Sequence, residues 1–107
     1  PPARAKELLF TGRRCNAAEA SATGLVSRVV PGPQLESVVR ALAEEIAANA
    51  PLTVAAAKLV IDEIMRHPEA PDMARLDRAV ATCFESDDYI EGRRAFLDKR
   101  KPVFKGK

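Results

Sequence analysis

Four serines, Ser21, Ser27, Ser37 and Ser86, are the candidate hydroxyl nucleophiles, and a serine needs a base beside it. The chain has a single imidazole, His67, and Pro68 follows it directly. A residue before proline avoids helical geometry, so His67 reads as an exposed cap at a helix end rather than a general base. Three carboxylate pairs stand out: Glu44 with Glu45, Asp62 with Glu63, and Asp87 with Asp88. Adjacent residues on a helix point about 100° apart, so no pair converges on one substrate atom, and all three read as solvated helix faces. Cys15 and Cys83 lie far apart and, with one histidine, offer no zinc spacing, so no metal site is expected. The glycines are isolated and form no phosphate-cradling loop or nucleophile elbow. The residues themselves nominate no catalytic group and no cofactor.

The composition narrows the class. At 107 residues the chain is one small domain or a piece of a larger one. A chain of this size buries roughly 65% of its unfolded surface, enough for a modest core. Hydrophobic residues make up 47%, which excludes compositional disorder, but much of that is alanine, aromatics are 5% and tryptophan is absent. So thin a core is expected to rely on a partner surface. The net charge of +2 gives no case for nucleic acid. The charge is uneven, however: from Arg93 to Lys107 seven basic residues face one acid, a net of +6. That stretch is either a solvated tail or a surface that meets phosphates. No apolar run approaches the ~20 residues of a membrane span and no signal peptide is visible, so no membrane role is expected. Two unpaired cysteines fit a reducing intracellular compartment, cytoplasm or mitochondrial matrix, with a single disulfide as the alternative. The opening Pro1-Pro2 without a methionine reads as a processed or truncated start.

The elements that must carry these residues are helical. Ala3 to Phe10 has helical spacing and Gly12 stops it. Asn16-Ala17-Ala18-Glu19 reads as a capping box that starts a short turn, which Gly24 ends. Leu25 to Val30 is β-branched and short, an extended segment or brief strand without a partner. After Pro33, Leu35, Val38, Val39, Leu42 and Ile46 form one apolar stripe. The helix over Leu52 to Arg66 places Val54, Ala57, Ile61, Ile64 and Met65 on one face. The next, about Asp72 to Phe84, carries Met73, Leu76, Val80, Cys83 and Phe84. Ser86 caps a last helix, with Asp87 and Asp88 at its positive end, running to about Arg100 before Pro102. The pattern predicts an all-α fold, a small bundle of about five helices with one short extended segment.

Three ordered stretches resemble the enoyl-CoA hydratase/isomerase, or crotonase, family. The first is Ala5-Lys6-Glu7-Leu8-Leu9-Phe10-Thr11-Gly12-Arg13-Arg14 with Asn16-Ala17-Ala18-Glu19-Ala20 and Gly24 to Val30. The second runs from Ala43 through Lys58. The third is Ser86-Asp87-Asp88, Glu91-Gly92 and Ala95 through Pro102. The likeness covers essentially the whole chain. It implies the C-terminal helical, trimer-building region of the family's fold, with residues 1–30 the end of a spiral core and linker, and residues 31–107 the oligomerisation part. The N-terminal ββα spiral of that fold, absent here, holds the oxyanion-hole amides and usually the acids, so no residue of this chain inherits a catalytic role.

What the resemblance leaves to this chain is contact with acyl-CoA. Phe96 matches the family aromatic, and Lys99 the lysine near the CoA nucleotide, both acting in trans on a neighbouring subunit. Val80 aligns with an acyl-pocket position that is often aromatic. The resemblance implies a parent enzyme that hydrates 2-enoyl-CoA thioesters, a homotrimer or hexamer, with this chain inactive alone. The alternatives are a non-catalytic helical oligomerisation or docking module, or the tail of an isomerase, thioester hydrolase or decarboxylase of the same superfamily.

Overall fold

Capping residues set the helix ends. The structure, a computed structural model, describes residues 2–107. α1 (Pro2–Thr11) stops at Gly12, whose φ of 58° lets its N–H donate to the Leu8 carbonyl at 3.2 Å. α2 (Ala17–Ala22) begins with the expected capping box: Asn16 Oδ1 accepts from the Glu19 N–H at 2.9 Å, and the Asn16 N–H donates to Glu19 Oε2 at 3.1 Å. The Asn16 cap stabilises this short helix by about 1 kcal/mol. Its end is a Schellman closure. Gly24, at φ 74°, donates to Ser21 O at 3.1 Å, and the Leu25 N–H to Ala20 O at 2.8 Å.

The segment from Leu25 to Val30, expected to be extended or a brief strand, bends through residues 25–27 and has no strand partner, its Leu25 and Val26 N–H groups both donating to Ala20 O; the described residues contain no strand. An isolated strand leaves its amides without ladder partners, and here none is supplied. A single turn of 3-10 helix (Gly32–Gln34) leads into α3 (Leu35–Ala47). Then follow α4 (Pro51–Arg66), α5 (Met73–Phe84) and α6 (Asp87–Leu97). Pro51 supplies the preset first turn of α4, Asp72 accepts from the Arg75 N–H at 3.0 Å, and Ser86 from the Tyr89 N–H at 3.0 Å. The fold is all-α, with six α-helices among the described residues.

The chain forms two units, one ending at Val39 and a second spanning Arg40–Lys107. In the second, α4 packs on α5, and α5 on α6. Leu76 and Ala95 are its buried apolar side chains; in the first unit only Ala20 is buried among the described residues. α4 turns a different face inward from the one its periodicity predicted. Leu52, Ala56, Leu59 and Val60 are half-buried and Glu63 is buried, whereas Ile61, Ile64 and Met65 are exposed. The stripe of α3 is likewise largely uncovered.

Two of the carboxylates read as solvated are buried instead. Glu63 accepts the Asp72 N–H at 3.0 Å and faces Arg75 Nη1 at 3.4 Å, which fixes the turn between α4 and α5. Asp88 is 3% exposed and holds the chain terminus, as described below. Their neighbours Asp62 and Asp87 stay exposed, as the 100° offset requires. Cys15 and Cys83 are free thiols.

Candidate functional site

The second unit contains an apolar groove of about 860 Å³. α4 contributes Ala56 and Val60 to it, α5 contributes Val80, Cys83 and Phe84, and α6 contributes Tyr89, Gly92, Arg93 and Phe96. Phe104, from the tail, completes the lining. Phe84 and Tyr89 meet edge to face at 5.1 Å, and the Arg93 guanidinium lies 5.9 Å from the Tyr89 ring centroid. The groove therefore has an aromatic patch with a cation beside it. Phe96 is 83% exposed, far more than a core aromatic. Such a surface is suited to an apolar or aromatic partner group and contains no convergent acid pair.

Beyond the groove, α6 ends at Leu97 rather than near Arg100. Its closure repeats the Schellman geometry of α2: the Arg100 N–H donates to Ala95 O at 3.0 Å, and the Lys99 N–H to Phe96 O at 3.3 Å. The left-handed position that Gly24 fills in α2 is filled here by Lys99, at φ 52°. The tail then runs back along α6. Arg100 makes a bidentate pair with Glu91, at 2.6 and 2.9 Å, and Glu91 Oε1 also accepts the Val103 N–H at 2.9 Å. Asp88 accepts the N–H groups of Lys105 and Gly106, both at 2.7 Å, and its own N–H donates to Lys107 O at 3.1 Å. The hydrogen bonds from Arg100, then that from the Val103 amide, hold the Glu91 carboxyl at about 2, below the ordinary 4.5. The same pair raises Arg100 above its usual value.

Of the residues the sequence singled out, the structure brings Val80 and Phe96 to one groove and leaves Lys99 outside its lining. Phe96 and Lys99 do not share a helical face, because the helix has closed before Lys99. Lys99 is exposed, and its ammonium makes no hydrogen bond or ion pair among the described residues. His67 is exposed at the end of α4, its N–H donating to Glu63 O. Among the described residues no three metal-ligating side chains cluster. The residues that sequence reasoning missed are Asp88, Glu91 and Arg100. Two acids three apart on one helix, followed by a basic stretch, carry the signal for them.

A sequence profile of the family described as Enoyl-CoA hydratase/isomerase matches residues 1–107. The chain belongs to that family. Carnitinyl-CoA dehydratase from Citrobacter koseri is 39% identical over 112 aligned positions, which take in all of this chain and 42% of that protein. An enoyl-CoA hydratase/carnitine racemase from Magnetospirillum magneticum superposes with a TM-score of 0.90 at 40% identity, over 99% of this chain and 39% of that one. Enoyl-CoA hydratase from Bacillus anthracis gives 0.85 at 39% identity, over 97% and 40%. This member of the enoyl-CoA hydratase/isomerase family thus spans about two fifths of the length of its relatives and corresponds to the C-terminal helical region of the crotonase fold. These relatives are bacterial, which gives no support to the mitochondrial alternative. No described helix is long and apolar enough to cross a membrane.

Proposed function

We propose that this chain is the assembly and CoA-contacting part of an acyl-CoA enzyme that adds water to, or removes it from, a 2-enoyl thioester. The observation that carries the reading is the pairing of an exposed Phe96 on an apolar groove with an unpaired Lys99 immediately past the end of α6. An aromatic surface suits the adenine ring and an ammonium suits a phosphate. The remaining cations of the tail raise the local concentration of an anionic ligand. The relatives named carnitinyl-CoA dehydratase favour hydration or dehydration of the acyl chain over thioester hydrolysis or decarboxylation. No acid–base step is assigned to this chain. Oxyanion stabilisation and proton transfer belong to the part of the relatives that this chain does not cover. Val80 in the groove fits an acyl-facing position with room for more than an aromatic would leave.

The reading is tested in a full-length subunit carrying this region. Lys99→Ala and Phe96→Ala are compared by KM for crotonyl-CoA and for a truncated thioester lacking the nucleotide. Lys99→Ala is expected to raise KM for the CoA substrate about fivefold, as for a solvated charge contact of ~1 kcal/mol, and to leave the truncated substrate unaffected. The Lys99 effect should shrink with added salt. Equal responses to both substrates, or none, would make Lys99 a surface charge. A Phe96→Ala variant that melts earlier without a change in KM would place Phe96 in the core.

A further inference from the structure

Lys99 is the only described non-glycine residue at positive φ, and it occupies a position that the same chain fills with glycine at the end of α2. A side chain there crowds its own backbone, so the surrounding chain must hold it. On one side Lys99 is held by α6, through the bonds from the Lys99 and Arg100 N–H groups to Phe96 O and Ala95 O. On the other side it is held by Arg100, whose guanidinium is gripped by both oxygens of Glu91. Glu91 then secures the tail again through the Val103 N–H. The cation of Arg100 is thereby neutralised, while the ammonium of Lys99 is exposed and makes no hydrogen bond or ion pair among the described residues. A flexible basic tail would need none of this. A lysine that must meet a phosphate from a fixed direction would.

We propose that Glu91, acting through Arg100, is a positioning residue for Lys99, holding the strained closure of α6 so that the ammonium is presented to the phosphate of an acyl-CoA. The proposal rests on the reading of Lys99 given above. Glu91 does not touch the ligand. Its charge is used to fix the backbone on the far side of Lys99, and part of the ordering is therefore complete before the ligand arrives.

The test is a double-mutant cycle in the full-length subunit. Glu91→Gln keeps an oxygen for the Val103 N–H and loses the charge-assisted grip on Arg100. KM for crotonyl-CoA should rise by about three- to fivefold with kcat within twofold, while the truncated thioester is unchanged. Combined with Lys99→Ala, Glu91→Gln should add nothing further. Arg100→Gln, which leaves both bonds of Asp88 intact, should repeat the pattern and serves if Glu91→Gln fails to fold. Multiplying effects in the double variant, or a loss of kcat with the truncated substrate equally affected, would overturn the proposal and leave Glu91 a stabilising residue only. If Lys99→Ala raises KM and neither Glu91→Gln nor Arg100→Gln does, the proposal fails alone. If Lys99→Ala has no effect, the reading of Lys99 fails and the proposal with it.

Discussion

Lys99 carries a backbone angle that belongs to glycine, and the chain offers its own control in Gly24. Replacing Lys99 with glycine should stabilise the closure by about 1 kcal/mol, offset in part by glycine's larger unfolded entropy. Lys99→Ala keeps a Cβ and should leave stability nearly unchanged. Thermal melts of the two variants against the parent check this. If glycine and alanine behave alike, the angle carries no strain. Lys99 was singled out through the resemblance of the stretch ending at Pro102, and its conformation was not legible there. The periodicity of α6 gives no sign that it closes at Leu97, because the closing bonds are made by backbone groups whatever the side chains. The burial of Glu63 and Asp88 was hidden for a related reason. Adjacency shows that two carboxylates diverge, but the amides that turn one inward come from residues 9 to 18 positions away.

Among the elements, helix starts were the most legible: Asn16 and Ser86 cap as read from their residue types, and Asp72, read as the first helical residue, is the cap one position before the helix. Faces were less so. In α4 apolar residues spread over a wide arc with Lys58, Asp62, Glu63 and Arg66 set among them, so two stripes compete, and the choice falls to the neighbour α5 and to the buried Glu63. The tail and α6 form one unit through Asp88 and Glu91, and this makes an acid-dependent element. The folded value of Glu91 is about 2 against an ordinary 4.5, a depressed pKa, so its contribution is fully present above about pH 4.5 and is lost as pH falls toward 2. The difference in melting temperature between the parent and Glu91→Gln should be constant at neutral pH and close across that acid window. It should also narrow in high salt, because Arg100 is well exposed to solvent. A gap that persists at pH 2 would show that Glu91 acts through its shape and not its charge.

Across the whole molecule, the described residues bury only three apolar side chains, while Leu9, Phe10, Met65, Phe96 and Leu97 are each more than three-quarters exposed. A stable soluble domain does not leave so much apolar surface to water without a partner for it. The chain also spans only about two fifths of the length of its relatives. Both facts fit a region that is completed by other protein, here proposed as a trimer or hexamer in which α6 and the tail of one subunit serve a neighbour's ligand. That arrangement is tested by mixing two full-length subunits. One is inactivated in its own spiral core and keeps Lys99; the other is active and carries Lys99→Ala. KM for crotonyl-CoA is then measured across mixing ratios after subunit exchange. Contact in trans predicts that a fraction of active sites, growing with the share of inactive subunit, recovers the low KM of the parent. Active sites that keep the raised KM at every ratio would contradict it.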